Sequence, residues 1–435
     1  MKNFLSRFFI ALLDFLHVRF PKKYRFIVLT SHGNGHNALW VFLQKCDVRL
    51  IRIFMMRSNY AQFCLEIFKN LWTLPQNQCM ALSFDSHNFE KENKIYTKIT
   101  KQVPALLLVR DPISVICSHI NLYRFWNHGA ILGKDGALQL PKEPYCLGYD
   151  TECLEMKTTD KPDVRAAHLW AALVDGDYTQ VGNFDFVRES DKQRNLACIC
   201  TYTSGFEALK DKISELTIID MSAILPENAF ATMTRLAQQF GFAPPCEQNR
   251  AFYEAKLYGR ESLLYPLTLN VGALFGRAVK ATNNVAFTHD VRGGGQDLLI
   301  YSNAQRLEYF GFGDAVPFDF VASNSGGAAR WYCKACEAQR FAKLDEVKRG
   351  MIAEAMRQIE AWCGLQQQNM AAHKVSEDNL LAYLAANPAL FARLAKALEY
   401  ETSIVRERAP EIFAQWRYYA QFLACFCAQG QNTLD

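Results

Sequence analysis

Between Tyr24 and about Pro245 the chain alternates short apolar runs with stretches of helical spacing. The runs are Phe26–Thr30, Leu50–Met55, Cys79–Phe84, Ala105–Val109 and Leu216–Asp220, each bounded and mostly apolar. Bounded, mostly apolar runs of this length fit buried parallel strands. The stretches between them fit the crossover helices that parallel strands require. The pattern predicts an α/β fold: a three-layer, parallel-sheet domain over residues 24–247.

Beyond this domain the pattern changes. "PLTLNV", "NVAFTHDV", "DLLIYS" and "PFDFVAS" read as strands separated by Gly and Asn, a strand-containing insertion or continuation over 248–330. "HDVRGGGQD" (289–297) lies between two strand-type runs and reads as a hairpin rather than a phosphate loop. Residues 331–435 are mainly helical in pattern, a C-terminal cap or subdomain. Residues 127–165 are loop-rich, and "AAHLWAALVDG" (166–176) begins as a helix. Within residues 1–23, Phe4, Phe8, Leu12 and Phe15 recur at helical spacing, which predicts an amphipathic helix. Arg7, Asp14, His17 and Arg19 interrupt it too often for a bilayer span, and it lacks a small-residue cleavage site. Such a helix packs on the domain or lies in a membrane surface, so residues 1–20 are the expected peripheral membrane contact.

Composition narrows the classes. A chain of 435 residues has room for two or three domains, and 50% apolar with 21% charged residues describes a globular protein. A net charge of +4 is too small to argue for nucleic acid, although it would not repel an anionic ligand. The 14 cysteines are scattered, several in apolar runs, so the reading is free thiols in a reducing, cytoplasmic compartment. Cys333 and Cys336 form the one C-x-x-C, but no second ligand pair follows at zinc-site spacing, and no metal is expected.

The first candidate chemistry lies in "FIVLTSHGNGHNALWVFL" (26–43). In an open parallel sheet ligands collect beyond the carboxyl ends of the strands, where helix N-termini offer unpaired N–H groups and partial positive charge. Gly33 and Gly35 let the backbone turn tightly and approach a ligand, while Asn34, His36 and Asn37 can add donors. The loop is neither a Walker A sequence nor G-x-G-x-x-G. The plain alternative is a strand–helix turn in which Asn37 or His36 merely caps the helix.

The second is "VPALLLVRDPISVICSHINLYRF" (103–125). An apolar strand ends in Arg110, Pro112 suits the first turn of a helix, and Ser118 follows two turns later. A guanidinium at a strand end and a hydroxyl on the next helix can grip one phosphate. The plain alternatives are an Arg110–Asp111 pair and a Ser118 bonded to its own helix.

Arg110, Pro112 and Ser118, with "SHINLYRF", resemble the second donor-binding element of the sulfotransferases that use 3'-phosphoadenosine 5'-phosphosulfate (PAPS). The opening loop is similar to that family's first element when Gly35 is set on the motif glycine. Its basic residue then falls on Gly33, so His32, His36 or another loop would have to replace it. "CMALSFDSHNF" (79–89) resembles the strand that supplies the catalytic histidine, and "LTIIDMSAILPENAFATMTRLAQQFGFAPP" (216–245) a late strand and helix.

The resemblance implies a sulfotransferase-like fold of P-loop type. It further implies PAPS as donor, held by Gly33, Asn34, Gly35, His36, Asn37, Arg110 and Ser118, and His87 as the base that takes the acceptor's proton. A small molecule or glycan would be the acceptor, by analogy alone. Two rivals stand beside it. One is a nucleotide-sugar glycosyltransferase using Asp175-Gly-Asp177, which reads more simply as a turn at a helix end. The other is a non-catalytic nucleotide- or partner-binding protein on the same fold.

Overall fold

A computed structural model describes residues 18–31, 33–54, 60–73, 75, 78–85, 95–125, 131–132, 138–139, 200–256, 267–270, 297–300, 315–317, 332–347, 349–350, 353, 376–386 and 388–431. The expected N-terminal helix up to residue 17, His32, His87, the Asp175–Asp177 pair and the "HDVRGGGQD" segment up to residue 296 lie outside the described residues.

Five strands form one all-parallel sheet: β1 (Phe26–Thr30), β2 (Val48–Phe54), β3 (Cys79–Asp85), β4 (Val103–Val109) and β5 (Ile213–Asp220), in the order β2-β3-β1-β4-β5. All five coincide with apolar runs of the sequence. β1 is buried throughout and β4 almost so. Strands covered on both faces read as apolar runs, which is why β1, β3 and β4 stood out, whereas β5 at the sheet edge is mostly partly exposed.

The helices α1 (His36–Lys45), α2 (Tyr60–Thr73), α3 (Pro112–Phe125), α4 (Thr203–Leu209) and α5 (Ala229–Phe240) lie between or after the strands. α1 buries Leu39, Trp40, Val41, Phe42 and Leu43 and ends where Asp47 turns left-handed at φ 58°. In α5, Ala229, Thr232, Met233, Leu236, Ala237 and Phe240 form the buried stripe. Gly241 closes it at φ 70°, with the N–H groups of Gly241 and Phe242 both donating to the Ala237 carbonyl. The Phe240-Gly241-Phe242 end thereby sets two rings on Phe26 of β1, with centroids 4.9 and 5.9 Å away.

The chain forms two compact units. One holds the sheet and comprises 1–120, 156–256 and 375–435; the other comprises 121–155 and 257–374. This differs from the expected boundaries at 247 and 330. The C-terminal helices α6 (Glu377–Ala385), α7 (Pro388–Arg408) and α8 (Arg417–Gln431) belong with the sheet. Leu380, Phe391, Leu394, Leu398, Trp416 and Phe422 share a buried cluster with Ile27, Leu107 and Val109. A helix with an apolar stripe must bury it, and the sheet supplies the surface. In the second unit, Leu267–Asn270 pairs antiparallel with Asp297–Ile300, and Ala315–Pro317 with Tyr332–Lys334. Among the described residues no helix is long and apolar enough to cross a membrane.

The strand order fixes where a ligand can collect. From β1 the chain leads toward β2 on one side, and from β4 toward β5 on the other. The two connections diverge, so the region beyond the carboxyl ends of β1 and β4 is where a ligand crevice is expected.

Candidate functional site

The crevice is bounded on one side by the loop after β1. Gly33 and Gly35 both take left-handed φ, 81° and 91°, a region costly for residues with a Cβ. Gly35 is the N-cap of α1 and offers no side chain to its N–H groups, and the first turn carries no acid. The positive end of the α1 dipole is therefore not neutralised by its own helix. A Cβ on Gly35 would stand 3.1 Å from Met221 Cγ and 3.2 Å from Ile224 Cδ1. One side of this turn is thus filled by the 3-10 turn Met221–Ile224 that follows β5.

Asn34 is fully buried, and its Nδ2 donates to the Leu108 carbonyl at 2.6 Å. It ties the loop to β4 instead of presenting this donor to solvent. His36 is also buried, with its ring edge-on to Trp40 at 4.7 Å. Asn37 is partly exposed in the first turn of α1.

Arg110, directly after β4, closes the other side. Its Nη1 donates to the Gly33 carbonyl at 2.7 Å, so guanidinium and glycine bend meet as their sequence positions predict. The expected alternative, a pair with Asp111, is not what the structure shows. Among the described residues no carboxylate pairs with Arg110. A half-buried cation without an anionic partner, beside an uncapped helix N-terminus, is an arrangement that attracts an anion.

Asp111 is committed elsewhere. One carboxylate oxygen accepts from Ile113 N–H at 2.9 Å, capping α3 ahead of Pro112. The other accepts from Tyr418 and Tyr419 N–H at 2.9 and 3.1 Å, at the start of α8. Burial raises this carboxyl above its ordinary value, and the backbone N–H groups pull it back. At the end of β5, Asp220 accepts from Ser222 N–H at 2.8 Å and from Trp416 Nε1 at 3.1 Å. Two strand ends therefore hold the start of the C-terminal helix.

A segment the sequence did not single out, Cys200–Ser204, is bonded to the ends of β1 and β4 and to α7. Ser31 Oγ, just beyond β1, meets Thr201 Oγ1 at 2.9 Å and accepts the Thr201 N–H at 3.0 Å. The Tyr202 hydroxyl donates to the Arg110 carbonyl at 2.7 Å, and the Arg110 N–H donates back to it at 3.1 Å. Thr203 Oγ1 donates to the Glu401 carbonyl at 2.9 Å and accepts the Ile404 N–H at 3.0 Å. Glu401 is 1% exposed. One of its carboxylate oxygens accepts the Ser204 N–H at 3.1 Å, and the other has no hydrogen bond among the described residues. Burial pushes the carboxyl up to about 7. The only sequence signal was the run Thr201-Tyr202-Thr203-Ser204, whose hydroxyls could as well have marked an ordinary turn.

Of the expected site residues, Gly33, Asn34, Gly35 and Arg110 come together. Ser118 is partly exposed on α3. Among the described residues no hydrogen bond links it to Arg110 or to the loop. Ser114, one turn earlier on the same face, donates to Glu377 Oε1 at 3.1 Å, which brings an acid close to the Ser118 side of α3. Among the described residues no cluster of His, Cys, Asp and Glu could hold a metal.

The family model described as a protein of unknown function (DUF2972) matches residues 218–429, a little under half of the chain. The match starts at the end of β5 and ends within α8, so it takes in Asp220, Met221, Glu401 and Trp416 but not the loop after β1 or Arg110. No curated protein and no solved structure matches the chain.

Proposed function

We propose that the crevice beyond β1 and β4 binds the phosphate groups of a nucleotide-type donor. On this reading the chain is a sulfotransferase-like enzyme of P-loop type that moves a sulfuryl group from PAPS to a hydroxyl or amine, with a glycan as the acceptor class. The observation that carries the reading is the Arg110 guanidinium, bonded to the Gly33 carbonyl beside the uncapped N-terminus of α1 and free of any carboxylate partner among the described residues. The diverging connections at the same point support it. In the transfer the acceptor oxygen or nitrogen bonds to sulfur as the bond to the leaving phosphate oxygen breaks. The acceptor proton passes to a base, for which His87 is proposed. Arg110 and the α1 N-terminus steady the charge on the donor.

A second reading, a non-catalytic nucleotide- or partner-binding protein, draws on two observations. The usual basic residue of the first loop is Gly33, and Met221 and Ile224 fill one side of the turn at Gly35.

Titration calorimetry with 3'-phosphoadenosine 5'-phosphate separates these readings. Binding that weakens at least tenfold in Arg110→Ala, about 1.4 kcal/mol, is the expected result for the donor site. Product formation from PAPS then distinguishes the enzyme from the binder. Binding of a uridine nucleotide that is lost in Asp175→Ala points to the glycosyltransferase. No nucleotide binding at all leaves the scaffold.

A further inference from the structure

Arg110 stands at the end of a strand, where a side chain is aimed by the peptide that carries it. β4 ends at Val109 and its ladder to β5 ends at the Val109–Asp220 pair, so the peptide groups of Arg110 lie beyond the sheet's own hydrogen bonds. Tyr202 takes both of them. Its hydroxyl accepts the Arg110 N–H and donates to the Arg110 carbonyl, at 3.1 and 2.7 Å. One residue earlier, Thr201 makes two hydrogen bonds with Ser31 at the end of β1. Residues 201–202 therefore bridge the two strand ends that bound the crevice. The bridge is itself held: Tyr202 is fully buried against Trp416, with centroids 6.1 Å apart, and Thr203 is bonded to α7.

We propose that Tyr202 is a positioning residue for the anion site, fixing the Arg110 peptide so that its guanidinium meets the Gly33 carbonyl and faces an incoming phosphate, while Thr201 holds β1 at the matching distance. The proposal rests on the reading of the crevice as a phosphate site. Without the phenolic hydroxyl, the Arg110 N–H and carbonyl lose their partner together. The guanidinium then samples orientations in which it no longer shares the loop with a ligand, and a misplaced group of this kind is costly for recognition. Burial, with the Cys200 sulfur next to it, raises the phenol well above its ordinary value, so the hydroxyl keeps its proton and can always donate to the Arg110 carbonyl.

The test is a double-mutant cycle on the full chain, with 3'-phosphoadenosine 5'-phosphate titrated into the wild type, Tyr202→Phe, Arg110→Ala and the double variant. Thermal unfolding of each confirms a folded sample. Expected are binding about tenfold weaker in Tyr202→Phe and no further loss when Tyr202→Phe is added to Arg110→Ala. A purely structural tyrosine would lower stability without this non-additivity. If Tyr202→Phe does not fold, Thr201→Val acts on the bridge from the β1 side and should weaken binding about threefold, again only while Arg110 is present. Wild-type affinity in Tyr202→Phe alongside loss in Arg110→Ala overturns the positioning role and leaves the phosphate site standing. Additive losses in the double variant overturn it as well. Full affinity in Arg110→Ala, or no binding by the wild type, overturns the crevice reading and the positioning role with it.

Discussion

Arg110 and Asp111 are neighbours in the chain and opposite in what surrounds them. Asp111 is buried and accepts backbone N–H groups from α3 and α8; Arg110 is half-buried, bonds one loop carbonyl and meets no carboxylate among the described residues. The same division runs along the edge of the sheet. Between β4 and β5 the strand-end acids hold the C-terminal helix, whereas between β1 and β4 a cation and an uncapped helix face each other. A polar group saturated by the fold contributes stability. A charged group that the fold positions and leaves without its complement contributes binding.

The largest effect that could break this comparison is at Asp111. Asp111→Ala orphans three N–H groups, two of them buried, and removes the cap of α3, and should lower unfolding stability by about 3 kcal/mol. Arg110→Ala should change it by less than about 1 kcal/mol. Urea unfolding of the two variants measures both, and equal losses would erase the distinction.

Glu401 provides the next test. Its folded value of about 7 lies above the ordinary 4.5 of a glutamate, so between these values the folded state holds a proton that the unfolded chain has released. This contribution to stability is full below the unfolded value and is lost as pH rises to about 7. A displacement of this size corresponds to about 3 kcal/mol. Unfolding measured from pH 5 to 8 should show that decline, and Glu401→Gln should flatten it. An unchanged slope in the variant would place the titrating group elsewhere.

Gly35→Ala forces a Cβ into left-handed backbone and against Met221, at an expected cost of about 1–2 kcal/mol. Pairing it with Met221→Ala relieves the closer contact but neither the one to Ile224 nor the backbone, so a full recovery in the pair would show that packing against Met221 alone requires the glycine. A smaller effect is expected for Trp416→Phe, which removes one hydrogen bond to Asp220 and should cost about 1 kcal/mol in unfolding.

β1, β3 and β4 were legible because parallel strands covered on both faces need apolar runs, and the meeting of Gly33 with Arg110 because each follows one of two adjacent strands. These are local demands, and local sequence states them. The sequence could not show that the helices from 377 onward return to the sheet, that Asp111 receives the backbone of Tyr418 and Tyr419, or that Tyr202 grips both peptide groups of Arg110. Those contacts join residues 92 to 308 positions apart. Nothing in a hydroxyl or a carboxylate announces its distant partner. Only the packing of apolar faces brings such groups within hydrogen-bonding reach, and that packing decided which polar side chains support the fold and which were left facing the crevice.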